Sequence, residues 1–203
     1  MHVTLAGVVL FLHISVAIIA FMMAGVLHAA FQVLARARDL REARSWAILL
    51  HRLDPLLPVS ALVLLGLGAW LIHLSGGEFS WRDGWIITAV VSLVLIEGLA
   101  GALLAPKMKA IVGEIAHSSD GPISENLHRQ IIDPISWHIG HIATFGFAGV
   151  VFLMAAKPSG AWSPVIVVIG AAIGVAVSAA QLRALPLSGA AVPDQRRQPA
   201  ETA

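Results

Sequence analysis

Five long apolar stretches constrain this chain more than any other feature. A helix that crosses the hydrocarbon core of a bilayer needs ~20 mostly apolar residues, because its backbone must satisfy its own hydrogen bonds there. Residues 3–34, 55–74, 85–105, 134–156 and 162–182 each meet that length. Composition supports lipid as the main solvent: 58% of the residues are hydrophobic and 12% are charged, where soluble domains carry about a quarter. The expected fold class is therefore all-α: a polytopic membrane helical bundle with five transmembrane helices. Residues 1–187 form its single transmembrane domain, and 188–203 form a disordered cytoplasmic tail. The first stretch reads as a span and not as a cleaved signal. It is too long, lacks a basic leading region, and has no small-residue cleavage site after it. There is no cysteine, which excludes disulfides, thiolate metal sites, iron–sulfur clusters and thioether-linked haem.

Charge in the connections predicts orientation. Eleven of the thirteen Lys and Arg residues follow span one, lie between spans three and four, or follow span five. Only Arg82 and Lys157 fall on the other side. Basic residues accumulate in cytoplasmic loops, so the N-terminus is expected outside and the C-terminus inside. Trp81, Trp85 and Trp162 mark the outer headgroup level, where indoles are favoured. The segment LREARSWAILLHRL (40–53) is basic and amphipathic. It reads as a helix on the inner surface or as an extension of span two. The inner loop 113–130 is polar and partly helical in pattern. The net charge of +1 gives no electrostatic case for nucleic acid as a partner. The expected partners are the lipid bilayer and either a membrane subunit or a second copy of the chain.

LLHRLDP opens span two and NLHRQIIDP opens span four. Each is followed by a span, a short outer loop and a second span, so the chain reads as a duplicated hairpin with span one in front. Small residues predict close helix packing. Gly170 and Gly174 form a GxxxG whose simplest use is packing within the chain. The pairs Gly66 and Gly68, Gly98 and Gly101, and Gly146 and Gly149 suggest further close approaches.

The chemistry-bearing residues are ionisable groups inside the spans, which are rare and face the protein interior. They are His13 and His28 in span one, Glu97 in span three, and His138 and His141 in span four. His28 lies ~10 Å from the inner end of its span, His138 ~8 Å, His141 ~12 Å and Glu97 ~14 Å, at 1.5 Å per residue. Four groups from three helices thus share one layer in the inner half. Positions i and i+3 share a helix face, so His138 and His141 point the same way. His13 lies ~22 Å from His28 along the same helix and belongs to a separate level, where His73 is the one available partner. His51, His117 and His128 read as solvated or headgroup-facing.

Three uses fit this set. Imidazoles from spans one and four, His28 with His141, could hold a haem b iron, with His138 as the alternative ligand or a supporting hydrogen-bond partner. His28, His138, His141 and Glu97 could form a metal-ion or proton site. The groups could also simply hydrogen-bond one another and lock the bundle.

The opening LFLHISVAIIAFMMAGVLHAAFQVLARARDL, together with DPLLPVSALVLLGLGAWLI and EFSWRDGWI, resembles a domain-of-unknown-function family of small bacterial predicted integral membrane proteins. The resemblance covers about the first half of the chain and places His13 at the family's histidine and Gly25 near its glycine. More distantly the first helix is similar to the copper-resistance D type and to the haem-containing protoporphyrinogen oxidase type of membrane protein. Those resemblances imply a multi-pass protein of the bacterial cytoplasmic (inner) membrane, and the last implies haem between helices. The Tyr, Pro and Arg that mark the oxidase's first helix are missing, which argues against that activity. The expectation is a haem-binding redox or sensor module. The alternative is an ion, proton or metal transport or accessory subunit that uses Glu97 and the histidines.

Overall fold

Local signals set where each helix begins. Thr4 accepts from the Gly7 amide and caps the first helix, as Ser and Thr do at exposed helix starts. Asp39 accepts from Glu42, and the Glu42 carboxylate in turn accepts from the Arg38 amide, a reciprocal cap that satisfies two orphan donors. Asp133 accepts from the Ser136 amide just before Pro134, and proline tolerates the first helical turn because its missing N–H is not needed there. The computed structural model describes residues 4–184, and these are helical without strands. The helices are α1 (Leu5–Leu34), α2 (Leu40–Leu53), α3 (Leu56–Leu74), α4 (Gly84–Leu99), α5 (Ala105–His117), α6 (Glu125–Ile131), α7 (Pro134–Ala156) and α8 (Trp162–Ala184). Five helical runs are long and apolar enough to cross a membrane. The tail expected over 188–203, and the domain end at 187, lie outside the described residues.

The helix that carries the third span does not stop at residue 105. A π-helical segment, Ala100–Leu104, joins α4 to α5, so one helical run extends over Gly84–His117. Pro106 explains the wide turn. It has no N–H, and its ring crowds the carbonyl four residues back. The helix absorbs both by widening, and the Ala105 amide reaches Ala100.

Lys157 closes α7 in a left-handed conformation. Its ammonium lies 4.5 Å from the Phe79 ring centre and 5.7 Å from that of Trp85, so the connections after α3 and α7 share one end of the molecule. The other end carries Arg44, bonded at 2.7 Å to both Asp120 and the Ser118 carbonyl, and Lys107, bonded at 2.7 Å to Asp133. We call these the tryptophan end and the basic end.

At the basic end α2 leads into α3 within one helical run, Leu40–Leu74, as an extension of span two. Its apolar side, Leu40, Ala43, Ala47 and Leu50, is buried in one cluster with α1, α5 and α6. The two leucines contribute ~3–6 kcal/mol relative to exposure. A small globular cap therefore sits on the spans.

The two halves of the expected repeat keep their order: a short helix, an Asp-Pro step, then two spans. They pack differently. Helices α7 and α8 make the most extensive contact in the molecule, whereas α3 and α4 barely touch. Glycine explains the first pair. A Cβ at Gly170 would lie 2.6 Å from the Phe145 carbonyl oxygen, and one at Gly174 would lie 2.6 Å from that of His141. Gly149 meets Val167 and Ile166 backbone in return. The GxxxG thus packs within the chain. Gly68 faces His13 and Gly146 faces Ile96. Gly66, Gly98 and Gly101, read above as close contacts, have nothing within 4 Å of a would-be Cβ, because the α3–α4 side of the bundle is splayed.

Candidate functional site

The site is built where α1, α7 and α8 meet above the basic cap. Side chains lean toward the N-terminus of their own helix. On the antiparallel α7 and α8, a histidine and a glutamine therefore lean toward each other. His141 Nε2 lies 3.0 Å from Gln181 Oε1, and its Nδ1 lies 2.8 Å from the Trp137 carbonyl oxygen. His141 is 1% exposed, so both ring nitrogens need such partners. One turn nearer the basic end, His138 Nδ1 shares a 2.8 Å hydrogen bond with the fully buried Ser178 hydroxyl. The two histidines do share a face, as their spacing requires, and that face is turned to α8.

His28 reaches the same place from α1. Its ring stands edge-on to His141, with centres 4.3 Å apart and planes at 78°. Gln32 donates its amide N–H to His28 Nε2 at 2.8 Å. The Thr144 hydroxyl donates to the Gly140 carbonyl at 3.0 Å, and His28 Nδ1 lies 3.3 Å from that hydroxyl oxygen. One ring nitrogen accepting and the other donating is the pattern of a neutral imidazole. Trp137 and Phe145 wall the ring pair.

Glu97 joins this group from a different side. It lies beside a cavity of about 460 Å³ between α1, α3, α4 and α7 that His28 and Thr144 also line. Asp54, His51, Lys107 and Lys109 line its basic-end portion, and Lys107 is already paired with Asp133. His138 and His141 do not line it. Of the four groups expected in one layer, the structure brings His28 against His141 and places Glu97 beside the cavity that His28 also lines. It sets His138 apart on the α8 side.

His13 lies at the other level, in a second cavity of about 890 Å³ toward the tryptophan end. Its Nδ1 is buried without a hydrogen-bond partner. His73 is exposed and does not line that cavity, so no His13–His73 pair forms. His51 and His117 are exposed, as expected, and His128 is half-buried.

The histidine pair does not fit a haem as it stands. Two imidazoles on opposite sides of one iron have ring centres about 6 Å apart, given metal–nitrogen bonds of ~2 Å, and a macrocycle lies between them. Here the rings touch edge to face, and all four of their nitrogens have protein partners. Among the described residues, no three His, Asp or Glu side chains gather closely enough to hold a metal ion.

Sequence reasoning missed Ser178, Gln181, Gln32 and Thr144. The signal for the first two lay in the GxxxG itself. Gly170, Gly174, Ser178 and Gln181 follow at i+4, i+4 and i+3, one stripe of a helix. The partner stripe on α7 runs His138, His141, Phe145, Gly149 at the same spacings.

A family described as "Predicted integral membrane protein (DUF2269)" matches residues 7–158. The chain belongs to this family. The family match reaches well past the half of the chain on which the resemblance was read, from α1 to the end of α7, and includes His13, His28, Glu97, His138 and His141. Ser178 and Gln181 lie beyond it. The family's description names an integral membrane protein and no activity. No curated protein and no solved structure matches the chain.

Proposed function

We propose that this protein is a proton-handling module of a bacterial cytoplasmic membrane, with its basic end in the cytoplasm, its N-terminus outside, and no chemistry of its own on a substrate. Orientation follows from the charge bias of the connections. The observation that carries the function is the shared cavity of Glu97 and His28, with Asp54 nearer the basic cap. An intramembrane carboxyl is costly unless it is neutralised. Two carboxyls beside one apolar cavity cannot both stay ionised without a positive charge between them. Lys107 is engaged by Asp133 and Lys109 lines the basic-end portion with Asp54, ~18 Å along the helix from Glu97, so for Glu97 a proton is the simplest neutralising species. His28 and Thr144 provide hydrogen-bonding groups beside the same cavity for passing it on.

The test is an infrared difference spectrum of the purified full chain in lipid nanodiscs, recorded across a pH titration. A protonated-carboxyl band should appear as pH falls and should be lost in Glu97→Gln, with helix content unchanged. Identical spectra for the parent chain and Glu97→Gln would end this reading.

A further inference from the structure

The two cavities adjoin, and three of the helices around them, α3, α4 and α7, change cavity at one level. On α3, Leu57 and Ala61 line the cavity nearer the basic end, Gly68 and Ile72 line the other, and Leu64 lines both. On α4, Ile96 and Glu97 belong to the first, Trp85 and Ala89 to the second, and Leu93 to both. On α7, Gly140 and Thr144 face the first, Val150 and Met154 the second, and Phe147 both. On α1 the two overlap: Ala20 and Ala24 line the first, while Phe21 and Met22 still line the second. Leu64, Leu93 and Phe147 are each under 10% exposed and pack in one buried cluster with Ala20. They form a single apolar layer between two spaces.

Titratable groups flank that layer. Glu97 is one helical turn from Leu93, ~6 Å along the axis. His28 is two turns beyond Ala20. On the far side His13 is two turns before Ala20 and faces Gly68, where a Cβ would sit 3.4 Å from its ring. Glu78 and Lys157 line the outer part of that same cavity. A polar station on each side of one dry layer is the arrangement of a hydrophobic gate, which conducts when it wets and blocks when it does not.

We infer that Leu64, Leu93 and Phe147 form the gate of a transmembrane proton route, with His13 as the station toward the tryptophan end and Glu97 with His28 as the station toward the basic end. This rests on the reading of Glu97 as a proton-exchanging group. Protons suit the geometry better than metal ions, because the titratable groups are strung along the axis and not gathered into a ligand shell. The splay of α3 from α4 provides the space, and the glycine-locked α7–α8 pair holds the wall from which Phe147 projects.

The experiment is proton flux into liposomes holding the full chain and an internal pH dye, driven by a potassium diffusion potential. The parent chain should be nearly tight. Phe147→Ala should raise flux at least tenfold, and so should Leu93→Ala, which serves if the first variant folds poorly. Adding Glu97→Gln to either should return flux to the parent level, and His13→Ala should lower it several-fold. Flux that stays at the level of protein-free liposomes in both gate variants, with helix content retained, overturns the route. So does a raised flux indifferent to Glu97→Gln, or sodium movement without proton movement. If the gate variants stay tight while the Glu97 carboxyl band still titrates, only the transmembrane route is lost. If that band is absent, the underlying reading fails instead.

Discussion

Gly174→Ala is the sharpest test of how the histidine site is held. The added Cβ would sit 2.6 Å from the His141 carbonyl oxygen, ~0.8 Å inside ordinary van der Waals contact. Neither side can yield cheaply, since both atoms belong to helix backbone. Helices α7 and α8 must separate by roughly that distance. Two hydrogen bonds span the same seam, His138–Ser178 at 2.8 Å and His141–Gln181 at 3.0 Å. A shift of ~0.8 Å takes both past hydrogen-bond reach. Overpacking of this kind costs ~1–3 kcal/mol, to which two intramembrane hydrogen bonds add ~0.6 kcal/mol each. Against this, alanine gains up to ~1 kcal/mol of helix propensity over glycine. The net loss is therefore ~1–3 kcal/mol. Gly66→Ala is the control, because nothing lies within 4 Å of its Cβ. It should be neutral or stabilising by the propensity gain alone. Equilibrium unfolding in mixed detergent micelles, read by tryptophan fluorescence, compares the two. Trp137 stands 5.5 Å from His141, ring centre to ring centre, so its emission also reports loosening of the site. Gly174→Ala as stable as Gly66→Ala, with unchanged emission, would refute the claim that glycine contact positions these histidines.

Asp133→Ala should cost more than Lys107→Ala. Asp133 caps α7 through the Ser136 amide and hydroxyl and also binds Lys107, whereas Lys107 gives up one exposed ion pair. Losses of ~1–2 kcal/mol and under ~1 kcal/mol are expected from the same unfolding assay, and the reverse order would contradict this assignment. Gln181→Leu should cost ~0.6–1.7 kcal/mol and shift the His141 ring resonances while leaving those of His13 unchanged, as read by nuclear magnetic resonance of labelled histidine. Haem added to the reconstituted, dithionite-reduced protein should give the same visible spectrum for the parent chain and for His141→Ala. An α-band that disappears in that variant would show that the ring pair opens to ligate iron.

What could be read from the sequence followed the solvent. The spans were legible because hydrocarbon demands long apolar helices, and the helix starts at Asp39 and Asp133 because capping is local. The packing partners were not legible in the same way. In water an apolar stripe marks the buried side of a helix, but in lipid both sides of α3, α4 and α8 are apolar, so hydropathy carries no rotation. The spacing of His138 and His141 gave a shared face without saying that α8 would fill it. Gly98 and Gly101 looked like contacts, yet they lie on the splayed side, where Pro106 forces the π turn and Gly101 lines the cavity. Amphipathic α2 was readable as a helix, and its cover by α5 and α6 was not, because that cover comes from residues about 70 further along the chain, a distance no local pattern spans. The rotation of α8 was nonetheless encoded, in a stripe of small residues. Gly170 and Gly174 face the α7 backbone, and Ser178 and Gln181 on the same stripe face α7 with them. Small and polar residues in register on one apolar helix thus fix its orientation where hydrophobicity cannot. That is why the two histidines of α7 find partners and α1 alone supplies the third ring.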